Sequence, residues 1–154
     1  MKEKGEKNKK NKKAQMQIGF GMIFSVILIV VFIAFAIYGI ATFIRIQKMA
    51  QVAGFQQDLQ NDIDSAWRST SVSQAYSYNI PKNIQQVCFK RDENENMYFV
   101  PDDYDGALLK NLDVIKTVTS QGSSNGRLCI DVNSGKLDLM IKKSYNENLV
   151  TITK

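Results

Sequence analysis

From Ile18 to Ile44 the chain runs for 27 residues without a charged side chain: IGFGMIFSVILIVVFIAFAIYGIATFI. At 1.5 Å rise per residue, a helix over this stretch is about 40 Å long, more than the ~30 Å hydrocarbon core of a bilayer. A helix packed on a soluble core keeps one polar face, and this run has none. A cleavable secretory signal has an apolar region of only about 7–15 residues. Ala34-Phe35-Ala36 mimics a small-residue cleavage site, yet the apolar run continues for eight residues beyond it. The stretch is therefore expected to be a transmembrane helix, over residues 15–44, with the lipid bilayer as its partner.

Charge gives the orientation. Of 20 basic and 15 acidic residues, seven lysines and two glutamates lie within the first 13 positions, which leaves 13 of each sign in the rest. The net charge of +5 thus belongs to the N-terminal tail alone. Nucleic-acid binding needs a basic face on the folded part, so no nucleic-acid partner is expected. Lysines before an apolar helix hold that end in the cytoplasm. The expected localisation is a single-pass cell-membrane protein, with residues 1–14 cytoplasmic and the C-terminal domain extracytoplasmic.

The helix is expected to outlast the apolar run, because no proline precedes Pro81. Ile46, Met49, Val52, Phe55, Leu59, Ile63 and Trp67 recur every three or four positions, so residues 45–68 read as an amphipathic extension. Its stripe is too short for the heptads of a coiled coil. Packing on the chain's own domain is expected instead, with Leu59, Ile63 and Trp67 against the sheet. Residues 69–80, rich in Ser and Tyr, read as a linker.

Residues 81–154 carry short alternating runs: Ile84–Arg91, Met97–Val100, Arg127–Val132, Lys136–Lys142 and Leu149–Thr153. Asn133-Ser134-Gly135 is a tight-hairpin signal between two of them. Asp102–Leu112 reads as a short helix. The expected fold class is α+β: one long N-terminal transmembrane and amphipathic helix packed on a small antiparallel β-sheet domain of about four strands. Cys88 and Cys129 both sit between apolar neighbours, in the same strand phase, so the two thiols could meet if their strands are neighbours. Two unpaired thiols are the alternative, and an oxidising exterior favours the bond.

Candidate chemistry is sparse. The chain has no histidine, which removes the commonest general base and transition-metal ligand. Asp92-Glu93-Asn94-Glu95-Asn96, with Asp103 at the twelfth place, partly matches a calcium loop, but Met97 stands where the sharp-turn glycine belongs. A polar hairpin tip is the expected reading. Asp102, Asp103 and Asp105 could pair as acid and base, yet Pro101 and Gly106 frame an ordinary turn. No catalytic residue, no cofactor and no metal is expected, and the chain is not expected to be an enzyme.

The leader and helix resemble those of type IV pilins in their archaeal form. Lys12-Lys13-Ala14-Gln15 stands where such precursors carry a Lys-Lys-Ala/Gly-Gln signal, the class III signal peptide, just before the apolar run. The resemblance implies cleavage between Ala14 and Gln15 by a prepilin peptidase. It also implies a head packed on a long helix, a disulfide in that head, and sister subunits associating through the apolar helix. Many members place Glu at the fifth mature position, whereas Gly19 stands there here. The expected function is a pilin-like surface subunit; the alternative is an uncleaved, membrane-anchored interaction module of a surface complex.

Overall fold

The computed structural model describes residues 10–101, 103–119 and 126–154, with side chains from Gly19 onward. In chain order the elements are α1 (Lys10–Arg68), β1 (Val72–Asn79), β2 (Gln86–Lys90), β3 (Met97–Val100), α2 (Val114–Thr119), β4 (Arg127–Asp131), β5 (Lys136–Lys143) and β6 (Thr151–Thr153). The chain divides after Arg45 into two compact units.

In the first unit, the large apolar side chains of α1 from Phe20 to Ile44 are all exposed. In the second, α1 supplies Val52, Phe55, Leu59, Ile63 and Ala66 to the core, each at most 5% exposed. At 100° per residue these five positions lie within about 40° of a common line along the helix. The helix ends where Ser69 N–H donates to Ala66 O at 3.1 Å and Lys143 Nζ donates to the carbonyls of Trp67 and Ser69. An ammonium group at that end also opposes the helix dipole.

Two antiparallel three-stranded sheets complete the domain, in the orders β1-β5-β6 and β3-β2-β4. Alternation sends Leu137, Leu139 and Ile141 of β5 inward. Val87 and Phe89 of β2 share an inward face with Met97 and Phe99 of β3 and with Leu128 and Ile130 of β4. Together with the α1 stripe they form one core, which confirms the α+β class with a long helix packed on small antiparallel sheets.

Four local expectations change. The stretch read as a linker forms β1, paired with β5 along its whole length from Val72↔Lys143 to Asn79↔Lys136. Among the described residues the strands number six, in two sheets, rather than about four in one. Residues 103–112 carry no helix: Ala107 bridges Met97 and Leu112 bridges Val150, which draws that segment out alongside strands. The helix forms at α2 instead, where the Asp113 carboxylate accepts from Lys116 N–H at 2.9 Å as an N-cap. The last strand is shorter than Leu149–Thr153, because Val150 is engaged by Leu112 and Asn111.

The hairpin signal gives the turn but not the hairpin. Ser134 and Gly135 have φ of 55° and 81°, and Asn133 and Lys136 exchange two backbone hydrogen bonds of 2.9 Å. Two positive φ values in a two-residue turn are the type I′ pattern. Beyond it the strands part, β4 to pair with β2 and β5 with β1. Gly135 O also accepts from Ile80 N–H at 2.9 Å, and a Cβ on Gly135 would lie 3.0 Å from Ile80 O.

Candidate functional site

The apolar stretch of α1 is the feature with the plainest physical role. It is long and apolar enough to cross a membrane, with a mean hydropathy of 3.0 over its best window and none of that window buried. Its hydroxyls are satisfied inside the helix: Ser25 Oγ donates to Gly21 O at 2.9 Å and Thr42 Oγ1 to Tyr38 O at 3.0 Å. Hydrocarbon offers no alternative partner, so internal bonds are what a lipid-facing hydroxyl requires. The Gly21 and Ser25 pair thus closes on itself within one helix. Lys12, Lys13, Ala14 and Gln15 fall within the helical span of α1, and their side chains lie outside what the structure describes.

The disulfide joins the two cysteines. Cys88 and Cys129 are directly opposed in the β2–β4 register and are bonded, with Cα atoms 4.0 Å apart. As their phase required, they lie on the face opposite to Val87, Phe89, Leu128 and Ile130. Cys88 is nonetheless fully buried there.

Of the three expected helix–sheet contacts, Leu59 and Ile63 are fully buried and Trp67 is not. Trp67 is 42% exposed, and its indole Nε1–H donates to Asn148 O at 2.9 Å. Counted at 100° per residue, Trp67, Met49 and Ile46 stand about 80° or more off the stripe's centre line, and Ala66 takes the inward place. A polar flank of α1 was missed by the apolar pattern. Gln56 Nε2 donates to Asp105 O at 2.9 Å, Gln60 Oε1 accepts from Lys110 N–H at 2.9 Å, and Asp64 Oδ1 accepts from Asn111 Nδ2 at 2.8 Å. These bonds hold residues 105–111 to the helix. The run of Gln and Asp at three- and four-residue spacing was the available signal.

The acidic tip is organised by a lysine. Lys90 Nζ lies 3.3 Å from Asp92 and 3.5 Å from Glu95. Asp92 also accepts from Asn94 N–H at 3.0 Å, and this bond, with Lys90 second, holds its carboxyl below the ordinary value. Lys90 N–H donates to Asn96 O at 3.0 Å and closes the tip as a hairpin, and the Asn96 side chain turns inward to exchange two 2.7 Å hydrogen bonds with the backbone of Leu109. Gly106 fits against it because a Cβ there would meet Glu95 Cδ and Met97 O at 2.3 Å. Asp102 lies outside the described residues, and of Asp105 it is the backbone carbonyl that is engaged, by Gln56. Among the described residues, no three His, Cys, Asp or Glu side chains converge on a possible metal site.

Tyr78 is strongly perturbed by its surroundings. Its hydroxyl donates to Asp62 Oδ2 at 2.5 Å, and burial, followed by that bond, pushes the phenol well above its ordinary value. Tyr76 stacks on it at 6.1 Å between ring centroids and is also raised, by burial and then by Asp62. Two open grooves adjoin these strands. One, of about 420 Å³, lies over Ala75, Ser77 and Met140, with Asp131, Asp138 and Lys154 at its sides. The other, of about 550 Å³, is lined by Gln51 and Asp58 of α1, by Tyr78, and by Lys82 and Lys136. Neither lining pairs a nucleophile with a base or gathers a reactive set. The chain matches no known protein family, no curated protein and no solved structure.

Proposed function

We propose that the protein is a membrane-anchored, pilin-like structural subunit of the cell surface. In this reading residues 15–44 span the bilayer and the C-terminal domain lies outside the cell. The observation that carries it is the division of labour along α1. One stretch has no polar face and no buried apolar side chain, and the next is built into the core of a small α+β head. The Cys88–Cys129 bond supports an oxidising exterior for that head. The seven-lysine tail supports a cytoplasmic N-terminus.

Processing between Ala14 and Gln15 is part of the proposal. The lysines resist transfer into lipid and so hold this bond at the cytoplasmic surface. Cutting there removes all seven, together with the tail's charge of +5. The helix is then free to leave the bilayer and rebury its apolar surface against sister helices. Gly19, where many type IV pilins carry Glu, counts against assembly into a long filament and not against the cut; the second reading is an uncut anchor whose head serves a surface complex. Intact-mass measurement on protein from native membranes tests the first against the second. The expected product begins at Gln15 and Ala14→Arg blocks its formation; a native protein that retains Met1 or Lys2 overturns processing and leaves the anchored module. Surface labelling of a Tyr145→Cys variant in intact cells tests topology separately, and labelling only after lysis would overturn it.

A further inference from the structure

Within the head, the two flanks of α1 are finished differently. Counted at 100° per residue, Gln56, Gln60 and Asp64 lie about 60–140° to one side of the stripe's centre line. All three are bonded to residues 105–111. Gln51, Gly54 and Asp58 lie about 80–140° to the other side. They line the groove of about 550 Å³, together with the end of β1, Lys82 and the Ser134–Lys136 turn. The side chains of Gln51, Asp58, Asn79, Lys82, Ser134 and Lys136 all converge on this groove, and among the described residues none of them makes a hydrogen bond or an ion pair. One flank of the helix is thus satisfied by the chain itself, and the other presents its polar groups to an open space.

Gly54 is an independent observation at the same place. A glycine inside a helix lowers its stability relative to alanine. A Cβ built on Gly54 would meet no atom within 4 Å, so the head's own packing does not call for a glycine there. What the glycine provides is close approach to the helix backbone from within the groove. The charges in the lining are also uneven. Lys82 crosses Gly135, its Cγ 3.1 Å from where a Cβ on that glycine would stand, and Lys136 is the next residue. Two ammonium stems therefore flank one glycine, and among the described residues no carboxylate is paired with either.

We propose that this groove binds an acidic saccharide, a short run of sugar units that carry carboxylates. A carboxylate beside Gly135 meets Lys82 and Lys136 in charge-assisted hydrogen bonds. Sugar hydroxyls donate to the Asp58 carboxylate, and the amides of Gln51 and Asn79 both donate to hydroxyls and accept from them. The missing side chain of Gly54 leaves room for a ring against the helix. The volume falls in the range of small-ligand sites. An acidic peptide would answer the two lysines, but its carboxylates are repelled by Asp58 and it brings no array of hydroxyls to the amides. A neutral saccharide would leave both ammonium groups unanswered. The site lies within the head alone and is independent of how the chain is anchored.

The test uses the full chain in nanodiscs, free of any detergent with a sugar headgroup. The probe is tetragalacturonate, with maltotetraose as the neutral comparator and tetraglutamate as the acidic one. Amide shifts are followed at Gln51, Gly54, Asp58, Lys82 and Gly135. Tetragalacturonate should move these resonances, bind at least about tenfold more tightly than either comparator, and weaken as salt is added. Gly54→Phe places a ring in the groove from an unobstructed position, so binding should vanish while the head's melting temperature is kept. The joint Lys82→Gln and Lys136→Gln variant, which changes only exposed side chains, should weaken binding by about tenfold or more. No shift at these residues, shifts elsewhere, or equal binding of tetraglutamate or maltotetraose would overturn the proposal. So would undiminished binding by either variant. Concentration-dependent shifts at the same residues without any saccharide would place a second copy in the groove and overturn it as well.

Discussion

Between Gly19 and Ile44 every large apolar side chain of α1 is exposed, whereas between Val52 and Ala66 the stripe of the same helix is at most 5% exposed. Both stretches are helical for the same local reasons: no proline, and internal hydrogen bonds throughout. They differ in the solvent their sequences suit. The first has apolar residues on all sides, a pattern that protein on one face and water on the other cannot satisfy. The second confines its apolar residues to a narrow stripe and sends Gln56, Gln60 and Asp64 to bind a flanking loop. Helical hydropathy alone therefore does not report burial in the protein; the angular distribution of apolar residues does.

The largest expected effect comes from the buried stripe. Phe55 packs edge-on against Tyr78 and Phe99, and Phe55→Ala should cost about 3–5 kcal/mol of the head's stability. Val31→Ala, in the exposed stretch, should leave the head's melting temperature unchanged. A comparable loss from both variants would break the contrast. Reduction of the Cys88–Cys129 bond, which spans 41 residues, should cost about 4 kcal/mol in the chain-entropy model. Thermal melts with and without reductant check this, and an unchanged midpoint would show that the paired strands hold without the bond.

Val31→Arg reverses the comparison. An arginine at the centre of a transmembrane helix costs roughly 2.5–3.5 kcal/mol of insertion free energy. Membrane integration should fall, as read by carbonate extraction, while the Cys88–Cys129 bond still forms in whatever fraction is inserted. Trp67 sharpens the boundary of the stripe. With its ring 42% exposed, Trp67→Phe should cost only about 1 kcal/mol, mainly the indole bond to Asn148. A loss above about 3 kcal/mol would place the ring in the core after all.

The smallest effect is a pH dependence. Tyr78 holds its proton more tightly folded than unfolded, where a tyrosine titrates near 10. Its contribution is therefore fully present below about pH 10 and is lost as pH rises from there toward the folded value. Tyr78→Phe should flatten part of the alkaline decline in stability, measured by denaturant melts from pH 8 to 11. An identical decline in both proteins would remove Tyr78 from the account.

Several features of this architecture were legible in the chain itself. The uncharged run, the helical extension, strand β3 and the Ser134-Gly135 turn all follow from local pattern, because period and turn chemistry are short-range properties. The bonded cysteines were legible for a related reason: strand phase put both thiols on one face, and the pairing needed only that β2 and β4 be neighbours. β1 escaped because serine and glutamine outweighed Val72, Tyr76 and Tyr78, although those residues alternate as strand formers do. Trp67 was misplaced because three- or four-residue steps accumulate angular error, which only the packed helix corrects toward Ala66.

What the sequence determined by itself is therefore local: which residues can be helix, where one tight turn must fall, and which face of each strand is apolar. Only the tertiary structure decided which strands are neighbours. A period of two specifies the face a side chain occupies but says nothing about the partner across the ladder, which here lies as far away as Val72 from Lys143. That long-range choice separated β4 from β5 despite the turn that joins them, and among the described strands it gave β1 the single neighbour β5.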